Sequence, residues 1–338
     1  MRIGVTFPAR ATVASLTMAA VAILLAGCGA TSKDGDDATA AGGTLTGVRV
    51  MVPNTAGGGY DTTARTAVKV METAGIAKGV EVFNLPGAGG TVGLARLVNE
   101  RGNGDLAMMM GLGVVGAAYT NKSDAKLSDT TPIARLIEEA EAVVVSKDSP
   151  YTSLQQLVTA WKADPGKVTV GGGSSPGGPD HLFPMQLAQT VGIDPKAVNY
   201  VAYDGGGELL PALLGNKIGF ATSGYSEFLD QIEAGQLRVL AVSSEQRVPA
   251  VDAPTLKESG VDLAFANWRG VVAPPGISDA DKQALVSALD KMHTSPGWKE
   301  ALTSRGWTDA YLSGEGFSTF LKEQDQRVAD VLAKAGVA

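Results

Sequence analysis

A single cysteine, Cys28, stands in 338 residues, so no internal disulfide can form. Histidine is nearly as scarce: His181 and His293 are the only two, and their spacing suggests no metal site. Aromatic residues make up 6% of the chain against 44% hydrophobic residues, so the cores must be built from Val, Leu, Ile and Ala. Basic residues are outnumbered, 28 Lys and Arg against 35 Asp and Glu, for a net charge of −7. That balance argues against a nucleic-acid partner. An anionic ligand would have to be drawn by local dipoles rather than by the overall field.

Catalytic patterns are also missing. Ser174 lies in Gly172-Gly173-Ser174-Ser175-Pro176, where Pro176 replaces the closing glycine of a nucleophile elbow. Gly111-Leu112-Gly113-Val114-Val115-Gly116 matches a dinucleotide fingerprint after a strand. No acidic residue at a second strand end follows about twenty residues on, as that fingerprint requires. No enzyme, cofactor or metal is expected. A hydrolase ranks last among the readings.

Long uncharged runs are confined to the start of the chain. Arg2 and Arg10 precede and open a stretch, Ala11–Leu25, without charge, and Leu25-Ala26-Gly27 leads into Cys28. The layout is that of a secretory signal peptide over residues 1–28. The run is too short for a comfortable membrane span. Small residues directly before the cysteine resemble the lipobox of bacterial lipoproteins, which implies lipidation at Cys28 and a chain anchored on the outer face of the cytoplasmic membrane. Residues 29–46 are rich in Gly, Ala, Thr, Ser and Asp and read as a flexible tether. Without residues 1–27 the balance is 26 basic against 35 acidic, a charge of −9. About 290 residues remain, enough for two domains with real cores.

What is abundant is glycine, 43 residues of it, placed between strands and helices. Val50–Pro53 reads as a strand, Gly57–Gly59 as a turn, and the residues from Asp61 as a helix capped by that acid. Ala64, Ala67, Val68 and Met71 then share one helix face. Strand, glycine loop and helix recur at Val80–Leu85, Pro86–Gly90 and Thr91–Asn99, and again at Leu106–Met110, Gly111–Gly113 and Val114–Tyr119. A second series comes later: Val168–Val170 with Gly171–Gly178, Val198–Ala202 with Gly205–Gly207, and Ile218–Ala221 with Ser223–Tyr225. Two sets of three loops at the carboxyl ends of parallel strands mark the edge where open α/β sheets bind ligands. Backbone N–H groups in such loops, helped by the helix dipole, suit an anion.

The loops supply the candidate ligand residues. They are Thr55, Gly57, Gly58, Gly59 and Tyr60 in the first, Gly87, Ala88, Gly89 and Gly90 in the second, and Leu112 and Gly113 in the third. The second series adds Ser174 and Ser175, His181, then Tyr203, Gly205 and Gly206, then Ser223 and Tyr225. Hydroxyls of Tyr60, Ser174, Ser175 and Tyr225 suit a carboxylate, or else face water. His181 reads equally as ligand contact or helix cap. Arg65, four residues after Asp61, reads as its ion-pair partner. Arg269 is the one cation singled out, either for a ligand carboxylate or for a surface salt bridge.

Several segments together resemble the substrate-binding proteins of tripartite tricarboxylate transporters. They are Val52-Pro53 with Gly57-Gly58-Gly59-Tyr60-Asp61 and Ala64-Arg65; Asn84-Leu85-Pro86-Gly87-Ala88-Gly89-Gly90 with Gly93; Tyr203 with Gly205-Gly206; and Trp268, Gly270 and Ala273-Pro274. Ala202 stands where that family has proline before the tyrosine, and Asn54-Thr55-Ala56 where many members carry an aromatic residue and a proline. The resemblance spans the mature chain. It implies an α/β fold of the two-domain type II periplasmic binding protein kind, each domain a mostly parallel sheet flanked by helices. Residues 47–141 plus 267–338 would form domain I and residues 142–266 domain II, with crossover strands near Ala142–Ser146 and Ala266–Val271. It implies a monomer that binds a small di- or tricarboxylate such as citrate in the interdomain cleft and delivers it to a two-component membrane permease. An extracytoplasmic sensing subunit for a membrane signalling system would use the same fold and cleft.

Overall fold

The computed structural model describes residues 43–203, 205–249 and 251–337. The signal peptide, Cys28 and most of the tether lie outside these residues. Among the described residues no helix is long and apolar enough to cross a membrane.

The chain begins with β1 (Leu45–Thr46), β2 (Arg49–Val52), α1 (Gly59–Thr73), β3 (Ala77–Lys78), β4 (Glu81–Asn84), α2 (Thr91–Asn99), β5 (Leu106–Gly111) and α3 (Leu112–Thr120). β2 pairs in parallel with both β4 and β5, as the strand–loop–helix repeat requires. Leu45 is buried, and β1 pairs in parallel with β3. Residues 45–46 are thus part of the folded chain, with Leu45 in a core with Val48, Ala67, Val68 and Met71.

β6 (Thr131–Ser146) comes next, followed by α4 (Leu154–Ala163), β7 (Val170–Gly172), α5 (Pro179–Thr190), β8 (Tyr200–Ala202), α6 (Gly206–Leu214), β9 (Phe220–Gly224), α7 (Leu229–Glu233) and β10 (Leu237–Val242). β7 pairs in parallel with β8 and with β9. The chain closes with β11 (Ala266–Ala273), α8 (Asp279–Thr294), α9 (Pro296–Arg305), β12 (Thr308–Ser313) and α10 (Gly314–Ala335). Ser278 caps α8, its Oγ accepting from Asp281 N–H at 3.1 Å.

One sheet runs through the molecule in the order β4-β2-β5-β11-β6-β9-β7-β8, with β10 and β12 also on β6. Residues 132–137 and 142–146, two apolar runs separated by acids, form one continuous strand. Its first part pairs antiparallel with β11 and β12, and from Glu141 onward it pairs with β9 and β10. The change of partners falls at Glu139–Glu141, just before the expected Ala142. The sheet is therefore mixed, with two parallel triplets joined through antiparallel strands.

Both faces are covered. In β5, Leu106, Met108 and Met110 pack in one core with Leu94, Leu97, Phe317 and Leu321, while Ala107 and Met109 pack in another with Ala64, Ala67, Leu285 and Leu289. The period of two sends alternate residues to opposite faces, so the strand reads as a continuous apolar run. The second triplet does the same between α4 and α5 on one side and α6 on the other.

Candidate functional site

A cleft of about 470 Å³ lies where the carboxyl ends of the two triplets face each other. From the first triplet come Pro53 to Thr55 and Gly58 to Tyr60, then Pro86 to Gly90, then Gly113. From the second come Gly173 to Ser175, Gly178 to Asp180, Ala202, Tyr203, Gly205, Glu208 and Glu227. Asn267 and Arg269 of β11 also line it.

The first loop delivers the start of α1. Gly59 is the first helical residue, and a Cβ there would stand 2.3 Å from Arg269 Nη2. Only a bare backbone lets the helix end sit against that guanidinium. Amides of the first helical turn have no intrahelical acceptor, so those of Gly59 and Tyr60 are available at the cleft. Asp61 does not cap the helix, because Gly58 holds that position; its carboxylate reaches back to the N–H of Gly57 at 2.9 Å. It also accepts from Arg65 Nε at 2.9 Å and Asn84 Nδ2 at 2.9 Å. Burial alone would raise its pKa, but these hydrogen bonds hold the carboxyl below the usual range. The expected Asp61–Arg65 pair is present. The N–H of Gly57 is consumed, and Gly57 is not part of the cleft lining.

The second loop is a run of left-handed backbone, Gly87 at φ 142°, Ala88 at 47°, Gly89 at 63° and Gly90 at 96°. The Gly90 N–H donates to Gly87 O at 2.9 Å, which closes the turn and leaves the N–H groups of Ala88 and Gly89 for an anion. Ala88 is a non-glycine residue held at positive φ, a strain that surrounding structure must enforce. Asn121 does so in part by donating to Ala88 O at 2.8 Å.

The third and fourth loops are tied by side chains. The Tyr60 hydroxyl hydrogen-bonds the backbone of Gly113 and Val114, and burial pushes its pKa up to about 12. Leu112 turns into the core at 1% exposure and leaves the cleft to Gly113. Asp180, in the first turn of α5, accepts from Gly173 N–H at 2.6 Å and from Ser223 Oγ at 3.2 Å. It repeats in the second triplet what Asp61 does in the first. Ser174 lines the cleft, its Oγ accepting from Asp180 N–H at 3.0 Å. Ser175 lines it too, whereas Ser223 lies beneath, fully buried.

His181, Gly206 and Tyr225 also miss the cleft wall. His181 Nδ1 accepts from Gly177 N–H at 3.2 Å and its ring sits edge-on to Tyr200, 4.8 Å between centroids. Desolvation lowers its pKa to about 4, so it is a neutral packing residue. Gly206 stands behind Glu227, whose Oε2 a Cβ would meet at 2.8 Å. Tyr225 is buried, and its hydroxyl donates to Gly306 O, away from the cleft.

Arg269 lies on the cleft floor, 2% exposed, with Nη2 2.6 Å from Glu139 Oε2 and Nη1 donating to Thr63 Oγ1 at 3.2 Å. It is neither an open cation nor part of a surface salt bridge. Around it stand three more acids. Glu141 is fully buried, and its pKa is driven well up by desolvation. Burial likewise pushes Asp180 up to about 7 and Glu227 up to about 8. Sequence reasoning missed Asp180, Glu208 and Glu227 because it searched the loops for donors. The position of Asp180, directly after a glycine-rich loop like Asp61, was the available signal. Among the described residues no group of side chains is arranged to hold a metal ion.

The family model described as "Tripartite tricarboxylate transporter family receptor" matches residues 63–337. A Cupriavidus necator protein described as "UPF0065 protein in gbd 5'region" is 29% identical over 301 residues, covering 86% of this chain and 88% of its own. Among solved structures, the periplasmic binding protein BugD superposes with a TM-score of 0.76 at 25% identity, covering 86% of this chain and 97% of its own. MatC from Rhodopseudomonas palustris, solved with bound malate, superposes with a TM-score of 0.74 at 22% identity, covering 85% and 99%; at that identity the likeness is one of fold.

Proposed function

The chain belongs to the family of tripartite tricarboxylate transporter receptors, and from that membership we propose that it is an extracytoplasmic solute receptor, not an enzyme, for a small carboxylate. The observation that carries the reading is that the Ala88 and Gly89 amides and the first turn of α1 line the same wall of one cleft. Each hydrogen bond from an amide to a carboxylate contributes about 1.5–3 kcal/mol. A helix terminus adds about 0.3–1 kcal/mol. Four or five such bonds, less the costs of association, reach the ~8 kcal/mol of micromolar binding. No dense basic cluster is needed.

A di- or tricarboxylate such as citrate is the leading ligand class. A thermal-shift screen of carboxylates followed by calorimetry should find a one-to-one ligand, and NMR of the incubated mixture should recover that ligand unchanged. Conversion beyond stoichiometry would move the protein to the enzymes.

Family membership supports delivery to a two-component membrane permease. Residues 47–141 with 267–338 would form one lobe, together with β1, and residues 142–266 the other. Lipidation at Cys28 would hold the receptor at the membrane. Mass spectrometry of the membrane fraction should find a diacylglyceryl adduct on Cys28; a mature N-terminus beyond Cys28 would contradict it.

A further inference from the structure

We propose that the C-terminal half of α3 clamps the two sides of the cleft together, with Gly116 and Thr120 as positioning residues that seat the Ser174–Gly178 loop against the Ala88–Gly89 turn. The inference rests on the carboxylate reading above. It adds to that reading residues outside the cleft wall that set how firmly the acid is held.

The joint is a single peptide group. Thr120 Oγ1 donates to Pro176 O at 3.0 Å, and the Gly177 N–H of the same peptide donates to His181 Nδ1 at 3.2 Å. α3, in the first triplet, holds one side of that peptide, and α5, in the second, holds the other. His181 does not reach the cleft, and its role lies here. Desolvation keeps the ring neutral, so Nδ1 stays an acceptor.

Gly116 makes the close approach possible. Both Gly116 and Gly177 are buried, and a Cβ on Gly116 would collide with the Gly177 carbonyl. A Cβ on Gly177 would stand 2.9 Å from Gly116 O and from Thr120 Cγ2. Gly177 also sits at φ 91°, in the left-handed region that favours glycine. Backbone meets backbone, with no room for a side chain between them.

Two links run from this joint to the cleft. Ser175 lines the cleft and belongs to the same turn, which the Gly178 N–H closes on Ser175 O at 2.8 Å. On the other side Asn121, next to Thr120, donates to Ala88 O at 2.8 Å, and a Cβ on Gly89 would stand 2.6 Å from Ala117 Cβ. The helix end that grips the loop also supports the Ala88 and Gly89 amides. Gly116, Thr120, Asn121 and Gly177 are not themselves in the cleft lining. An acid held by amides on one side is released when the other side lifts away, so contacts here act on dissociation.

The test is stopped-flow binding to the mature chain with citrate, succinate and glutarate in turn, alongside hydrogen exchange of residues 173–181. Thr120→Val keeps the shape of the side chain and loses the donor. It should weaken the tightest of these acids about fivefold, equivalent to a hydrogen bond of about 1 kcal/mol. The change should lie in faster dissociation, with association unaltered. Gly116→Ala should weaken binding at least about tenfold, since the loop must lift to admit the methyl group. In both variants residues 173–181 should exchange faster while circular dichroism shows the fold retained. Thr120→Ser, which keeps the hydroxyl, should bind as the wild type does. Thr120→Val binding as tightly as the wild type would overturn the inference, and so would Thr120→Ser weakening binding as much as Thr120→Val. Failure of all three acids to bind the wild type would remove the carboxylate reading and this inference with it.

Discussion

Asp180 and Glu227 are acids whose protons the folded chain keeps longer than the unfolded chain. Their ordinary values are 3.8 and 4.5, and burial moves them to about 7 and about 8. Above pH ~5 the unfolded chain has released these protons while the native chain still holds them, so stability falls as pH rises toward the native values. His181 works the other way, but only below its ordinary 6.5, where the unfolded chain gains a proton that the native chain refuses. Between about pH 6.5 and 8 the acids therefore dominate, and the melting temperature of the ligand-free protein should decrease across that window. Glu227→Gln should flatten the slope; a melting temperature that rises over the window would show that the acids ionise without cost. Arg269 belongs to the same cluster. Arg269→Gln strips Glu139 of its buried partner and should destabilise by about 3–5 kcal/mol, seen in urea denaturation. Glu139→Gln added to it should recover part of that loss. A variant at full stability would mean that the pair carries no stabilising role.

At the scale of elements, the strand–glycine–helix units are legible because each is local. The helix Thr91–Asn99 has the bounds its sequence predicts, and the helix after Gly59 differs only in its cap. Elements that depend on distant partners are not legible in this way. β6 reads as two strands because Glu138, Glu139 and Glu141 interrupt its apolar run; the fold buries two of them where the strand changes partners. α9 and β12 lie outside the strand–glycine–helix repeat: α9 starts at a Ser295 cap with Pro296 in its first turn, and Trp298, Leu302 and Trp307 pack this stretch into the core. In the site, glycine loops can be read from the chain, but which side chains turn into the cleft cannot. Leu112, His181 and Tyr225 all come after glycine loops and all turn inward to packing or backbone partners. Both connections between the triplets pass Ser243, which is fully buried. Its Oγ accepts from Glu141 N–H at 2.8 Å and donates to Phe265 O at 2.6 Å. Ser243→Ala should cost about 1–3 kcal/mol by leaving both groups unpaired, measured by chemical denaturation. No loss would show that water replaces the hydroxyl at the crossing.

For the whole molecule, the cleft lies between two sheet triplets that meet through β6 and β11, the arrangement in which a ligand touching both sides favours the closed form. Small-angle scattering should show a smaller radius of gyration when the tightest-binding acid is added. An unchanged radius would place recognition on one side of the cleft alone. The central claim is that backbone amides from two loops hold a small carboxylate there. A crystal structure of the protein with its tightest-binding acid tests it most directly. The account predicts a carboxylate within about 2.7–3.2 Å of the amides of Ala88 or Gly89 and of Gly59 or Tyr60. A carboxylate bound outside the cleft, or on side chains with those amides left to water, would contradict it.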